Sequence, residues 1–355
     1  MRWQRVFVAV AFVAVVVGGA LLQDNVFWIR VLTFALLLSA VAQSWNLLAG
    51  YAGQWSLAQL AFFGVGAYAA GILEQRWHVP LLVGLVVAVA VTALFAAGIG
   101  YVTLRIRGHY FSLVTFLLTV SLFELVRYFA DYTGGQYGLS ITFQPGTNLL
   151  MLQFENQVAY YYVAVAVAFI ATGTVWFIAR SRLGLLLRAI RDDEESAAAL
   201  GTRVLALKVA AIAISASMAA VAGVAYLSTY KLMDAETAFG IHNSLDPVVA
   251  GILGGAGTLL GGVVGEFVLQ PVVAQVNVQF GSLPGVAALL YGLILMLAIL
   301  LIPRGLLRLL RPGGVQRYAA SFRSRFRSQP ETVKTTDGVA ASTAPGKEPV
   351  HDSEL

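Results

Sequence analysis

The 355-residue chain has no cysteine, which excludes disulfide bridges, thiolate metal sites and a cysteine nucleophile, and leaves the redox compartment open. Charge is almost as scarce: 12% of residues are Asp, Glu, Lys or Arg, against roughly 25% in a soluble globular domain. Histidine occurs four times, at His78, His109, His242 and His351. No two stand at the i, i+4 spacing of a helical metal pair, so no metal site is expected. There is no G-x-x-x-x-G-K-[ST] loop, which puts any nucleotide hydrolysis on another chain. With neither G-x-S-x-G nor a clustered acid, base and nucleophile, the chain does not read as an enzyme.

What the chain has in quantity is apolar sequence. Hydrophobic residues make up 59% of it and the mean hydropathy is +0.78. Runs of about 20 residues, enough to cross a hydrocarbon layer, lie at Val6–Leu22, Val26–Leu48, Leu57–Leu73, Pro80–Leu104, Tyr110–Ala130, Val158–Ala179, Leu205–Thr229 and Pro284–Ile302. The first follows Arg2 and Arg5 but is longer than a signal-peptide core and has no A-x-A-like cleavage site after it, so it is read as a span. The expected fold is an all-α polytopic membrane bundle of about eight spans, with one irregular segment near 247–278.

Basic residues set the expected orientation. Arg105, Arg107, Arg180, Arg182, Arg188, Arg191, Arg203 and Lys208 mark one side, and Arg304 to Arg327 mark the tail; the positive-inside rule makes both cytoplasmic, with both termini, and leaves 131–157 external. Parity then requires 247–278 to enter and return. Gly254, Gly255, Gly257, Gly261 and Gly262 would be the hinge between two short helices; the alternative is a close-packed span in which they only let backbones approach. Residues 1–312 form the expected membrane domain. A basic segment, 313–327, suits anionic headgroups rather than nucleic acid, and 328–355 is a polar tail expected to be disordered.

The segment 181–201, SRLGLLLRAIRDDEESAAALG, is amphipathic and lies between two spans. Ser181 and Gly201 suit its ends, and the spacing predicts one helix between them. Arg188 with Asp192 and Arg191 with Glu195 stand at i, i+4, and Leu183, Leu187 and Ile190 make an apolar stripe fit for a partner's groove. Within the spans, Glu124, Arg127 and Asp131 share a face, as do Ser112, Thr115 and Thr119. Gln54, Ser56 and Gln59 follow a glycine-rich break at Gly50–Gly53, and Gly64, Ala67 and Gly71 form a small-residue stripe. These polar groups read either as a solute path or as ion pairs and packing contacts inside a bundle.

Six ordered blocks carry a family resemblance: GYAGQWSLAQLAFFGVGAY at 50–68, LRIRGHYFSLVTFLLTVSLFELVR at 104–127, TGGQYGL at 133–139, the segment 181–201, GILGGAGTLLGGVVG at 251–265 and PRGL at 303–306. The chain resembles the branched-chain amino acid permeases of the ABC transporters, in particular their LivM-type subunit. The resemblance implies an inner-membrane permease of a bacterial importer for branched-chain or related amino acids. It would work with a second, LivH-like permease, two ATPase subunits that hold ATP and magnesium, and an extracytoplasmic solute-binding protein. It also implies that 181–201 is the helix docked on the ATPase, since Glu195, Ala197 and Gly201 keep the E-A-A-x-x-x-G spacing with Ser196 in place of the first alanine. The chain departs from the family at Ala58-Gln59, where Gly-His is usual, and at Glu266, where a small residue is usual; these put the solute in doubt. A permease of the same fold for urea, short amides or another small polar solute is one alternative, and an ion-coupled secondary transporter is another.

Overall fold

A computed structural model describes residues 18–19, 25–105, 109–142, 146–283, 285–301 and 305–309. The first apolar run, Val6–Leu22, lies almost wholly outside these residues, and the basic segment 313–327 and the tail 328–355 lie wholly outside them. In chain order the helices are α1 Val26–Trp45, α2 Gln59–Trp77, α3 Leu81–Thr103, α4 His109–Tyr128, α5 Ala130–Thr133, α6 Gln157–Arg180, α7 Arg182–Asp192, α8 Glu194–Ala199, α9 Val204–Tyr230, α10 Ala235–Phe239, α11 Ile241–Ser244, α12 Asp246–Gly254, α13 Gly261–Phe280, α14 Val286–Leu301 and α15 Leu306–Leu309. A π-helical turn, Asn46–Tyr51, extends α1. Two-residue strands β1, Leu139–Ser140, and β2, Leu232–Met233, pair antiparallel and tie the loop after α5 to the loop after α9.

The expected all-α polytopic membrane bundle is what forms. Among the described residues, five helical segments are long and apolar enough to cross a membrane: Val26–Tyr51, Leu81–Thr103, Tyr110–Tyr128, Gln157–Arg180 and Val204–Tyr230. The other long helices, α2, α13 and α14, do not meet both criteria: α2 ends in Glu74 and Arg76, α13 carries Glu266 and Gln270, and α14 has 16 residues. Burial explains the tolerance of α2, whose Phe62, Phe63, Ala67 and Ala70 are enclosed by protein rather than lipid. By contrast α3 and α4 turn Val86, Leu94, Leu113 and Leu117 outward, the arrangement expected where hydrocarbon is the solvent.

The core is built around α9, which packs against α2 and α3 through small residues. A Cβ on Gly223 would lie 2.0 Å from Phe63 O, and one on Gly66 would lie 2.5 Å from Ala220 Cα. Where no hydrophobic force draws helices together, such close approach supplies the dispersion contact that holds them.

The glycine-rich stretch divides the expected irregular segment into two arms. Helix α12 ends at Gly254, the turn 255–260 follows, and α13 starts at Gly261. Cβ atoms on Gly254 and Gly265 would lie 1.7 Å from Gly261 O and 1.8 Å from Ala250 O. Contacts pairing 254 with 261 and 250 with 265 make the arms antiparallel, so the chain reverses direction between them. Gly255 has φ +116, a conformation closed to side chains with a Cβ.

Candidate functional site

Two features converge where the arginine-rich ends of the helices meet: the segment 181–201 and the glycine turn 255–260. The segment is two helices, not the single helix expected. Asp193 leaves the helical conformation at φ −158, ψ 110 and caps α8, its carboxylate accepting from Glu195 N and Ser196 N at 3.0 Å each and from Ser196 Oγ at 2.9 Å. Those bonds, Ser196's foremost, hold the Asp193 carboxyl below the usual carboxylate range. A carboxylate at a helix N-terminus satisfies the free amides and favours the dipole, and so it competes with continued helix. Ser181 caps α7 as expected, accepting from Gly184 N.

The expected i, i+4 pairs give way to tertiary bonds. Arg188 donates to Gly184 O, one turn back in α7, at 3.1 Å and to Ala179 O, a C-terminal carbonyl of α6, at 2.9 Å. Arg191 pairs with Asp192 at 3.0 Å and donates through Nη1 to Gly50 O at 2.8 Å. The apolar stripe also faces the other way: Leu187 and Ile190 are buried and Leu183 packs partly on the core, so the stripe docks the segment on its own bundle. Outward lie Glu195, Ser196, Ala198, Ala199, Leu200 and Gly201, with Leu185 on the preceding helix; Leu200 is 88% exposed. Ala197 is buried. Gly201 has φ +82 and open space around it.

Lys208, four residues into α9, has an almost fully buried side chain and reaches Glu194 Oε2 at 2.6 Å. This pair bolts α8 to the central helix. Sequence reasoning took Lys208 only as a mark of orientation, although a lysine inside an apolar run calls for a partner.

Above α7 lies the glycine turn. Asn46 receives Gly257 N on Oδ1 at 2.7 Å and donates to Thr258 O at 2.7 Å, while Gln43 donates to Leu259 O at 2.7 Å. Gly50 packs against Gly257, and a Cβ on Gly53 would lie 2.6 Å from Arg191 Cγ. The π-turn, the hairpin turn and the end of α7 therefore share one set of contacts, with Gly254, Gly255, Gly257, Gly261 and Gly262, the expected hinge, at its centre.

The expected solute-path residues fall into two groups. Ser56, Gln59, Thr115 and Thr119 are buried. Gln59 Oε1 accepts from Ser44 and Ser215 at 2.9 and 3.0 Å. Thr115 accepts from Leu57 N at 3.0 Å, Thr119 donates to Leu57 O at 3.4 Å, and Ser112 donates to Trp55 O at 2.6 Å. The polar face of α4 thus binds the irregular backbone that follows Gly53, and partly buried Gln54 bonds to its own loop at Ala52 O. Glu124 and Arg127 lie near the other end of α4, paired at 3.5 Å with side chains 65% and 45% exposed. Asp131 offers its backbone carbonyl to Arg76. The small stripe on α2 meets Ala238 and Phe239 at Gly64, and Leu139 and Leu227 at Gly71.

A family described as "Branched-chain amino acid transport system / permease component" matches residues 27–302. The high-affinity branched-chain amino acid transport system permease protein LivM of Salmonella typhimurium is 25% identical over 294 residues, 75% of this chain and 67% of the relative. Its counterpart in Escherichia coli K12 is 24% identical over 292 residues, with the same shares. The autoinducer 2 import system permease protein LsrC of Escherichia coli O9:H4 is 30% identical over 112 residues, 30% of this chain and 32% of the relative. No solved structure matches.

Proposed function

The chain belongs to the family of branched-chain amino acid transport permeases, and on that premise we propose that it is the membrane-spanning subunit of an ATP-driven importer for branched-chain or related amino acids. It lies in the bacterial plasma membrane with both termini in the cytoplasm. A second permease completes the path, two ATPase subunits supply the energy, and an extracytoplasmic binding protein delivers the solute. ATP and magnesium reside on the ATPases.

The observation that carries this reading is the surface of 181–201. At the arginine-rich end, where the positive-inside rule puts water, the segment is fixed to its own bundle by Leu187, Ile190, Arg188 and the Lys208–Glu194 pair. It still presents Leu185, Ala198, Ala199 and Leu200 outward. Exposed apolar residues on a rigidly held element at a wet surface suit a partner's groove. Movement of that partner would reach the hairpin turn through Arg191, Gly50 and Gly257, the route from nucleotide to solute path.

The test is uptake of radiolabelled leucine into proteoliposomes holding the complete transporter. Gly201→Trp, which projects a side chain into the open space over α8, and Glu195→Lys should each abolish ATP-driven uptake while the protein stays in the membrane. Unchanged uptake in both variants sinks the coupling assignment. Uptake that ignores ATP but collapses with the ion gradient sinks the importer reading altogether.

A further inference from the structure

The end of the bundle opposite the arginine-rich surface holds a cavity of about 540 Å³ lined by residues from three separate parts of the chain. Helix α4 contributes Phe123 and Arg127, one turn apart; the turn before β1 contributes Gln136; β2 and α10 contribute Leu232, Asp234 and Glu236. The β1–β2 pairing keeps these segments together. The volume falls within the range of about 300–1,000 Å³ typical of small-ligand sites.

The lining carries both signs of charge with apolar surface beside them. Arg127 stands 5.5 Å over the Phe123 ring and makes a single 3.5 Å contact with Glu124. An exposed pair of that kind is worth at most about 1 kcal/mol, so the guanidinium can turn to an incoming carboxylate and bind it through two parallel N–H groups. Asp234 is held in place from behind, its oxygens accepting from Thr237 N at 2.6 Å and Thr237 Oγ1 at 3.0 Å. Each carboxylate oxygen keeps a further lone pair for a donor, and Glu236 adds a second negative charge. Phe123 and Leu232 supply apolar wall. A cation on one element, carboxylates on another and apolar surface between them are the complement of a zwitterionic α-amino acid with an aliphatic side chain.

We propose that this cavity is an entry site for the solute, in which Arg127 takes the α-carboxylate, Asp234 and Glu236 take the α-ammonium, and Phe123 and Leu232 receive the side chain. The assignment rests on the permease reading above and names the part of the path that selects for amino acids. Half-exposed Arg127 makes it a station for passage rather than retention.

The test uses the complete reconstituted transporter with leucine-loaded binding protein varied to saturation. Arg127→Gln, and Asp234→Asn, which keeps the Thr237 cap, should each lower maximal leucine uptake tenfold or more. The half-saturating concentration of loaded binding protein should stay within twofold, and the ATPase activity stimulated by empty binding protein should persist. Arg127→Lys, which keeps the charge and loses the fork, should fall between wild type and Arg127→Gln. Unaltered uptake in both neutral variants overturns the proposal. So does a loss that appears wholly as a raised half-saturating concentration, because the cavity is then a docking surface for the binding protein. Wild-type complex without ATP-driven uptake overturns the permease reading and this site with it; normal wild-type uptake with unaffected variants overturns this site alone.

Discussion

Removing Glu194 should harm the protein more than removing Lys208, although the two form one ion pair. Lys208 Nζ meets Glu194 Oε2 at 2.6 Å, but the lysine side chain is 2% exposed and the glutamate 34%. Glu194→Ala strands an ammonium in the core, and an unpaired buried charge costs about 3–5 kcal/mol. Lys208→Met instead leaves a carboxylate that can turn to water, and its methylene stem is replaced by one of similar volume. That loss belongs with partly exposed pairs, about 1 kcal/mol or less. The double variant should recover most of what Glu194→Ala loses, since the stranded charge goes with it. Thermal unfolding followed by the intrinsic fluorescence of the six tryptophans ranks the four proteins, and the cycle gives the coupling energy. Lys208→Met as damaging as Glu194→Ala, or a double variant no better than Glu194→Ala, would refute the burial argument.

At the hairpin, Gly265→Ala should destabilise by roughly 3 kcal/mol or more, because the new methyl would meet Ala250 O at 1.8 Å; Gly173→Ala, where a Cβ meets nothing within 4 Å, should be neutral or stabilising by up to about 1 kcal/mol. The same unfolding assay compares them, and similar losses would contradict the close-packed arms. Asn46→Ala leaves Gly257 N and Thr258 O without their partner, at about 1–3 kcal/mol for each buried group left unpaired; hydrogen exchange should rise across 255–260 first, and uniform protection there would count against the clamp. The lowered Asp193 carboxyl gives α8 stability that is complete above the ordinary aspartate value, about 3.9, and is lost as pH falls through the lower folded value. Exchange at Glu195 and Ser196 should therefore stay protected from pH 7 to about pH 4 and open below, whereas Asp193→Asn should abolish that acid limb; opening already at pH 6 would show that another group caps the helix.

Much of this architecture is legible in the sequence because lipid imposes simple rules. Apolar runs became α1, α3, α4, α6 and α9, and the glycines at 254–262 became a turn between two arms. What escapes the reading is set by tertiary partners. The split at Asp193 has a local signal, an aspartate with serine three residues on, but an uninterrupted helix-former pattern outweighed it. Arg188 and Arg191 look like helix-surface braces until Ala179 O and Gly50 O are brought beside them. Leu187 and Ile190 show which side of the helix is apolar and not whether bundle or partner covers it. The cavity beside Arg127 joins residues about 110 positions apart, Arg127 and Asp234–Glu236, and no periodicity links them.

The absence of cysteine permits a direct test of where 181–201 docks. Ser196→Cys places one thiol on the exposed face of α8, and a short heterobifunctional cross-linker applied to the assembled transporter in native membranes reports its neighbour by mass spectrometry. The expected result is an adduct with the ATPase subunit, formed with Ser196→Cys and suppressed when ATPase docking is blocked by Gly201→Trp in the same chain. An adduct with lipid or with this chain alone, in a complex that still imports leucine on ATP, would contradict the assignment of this segment as the coupling element.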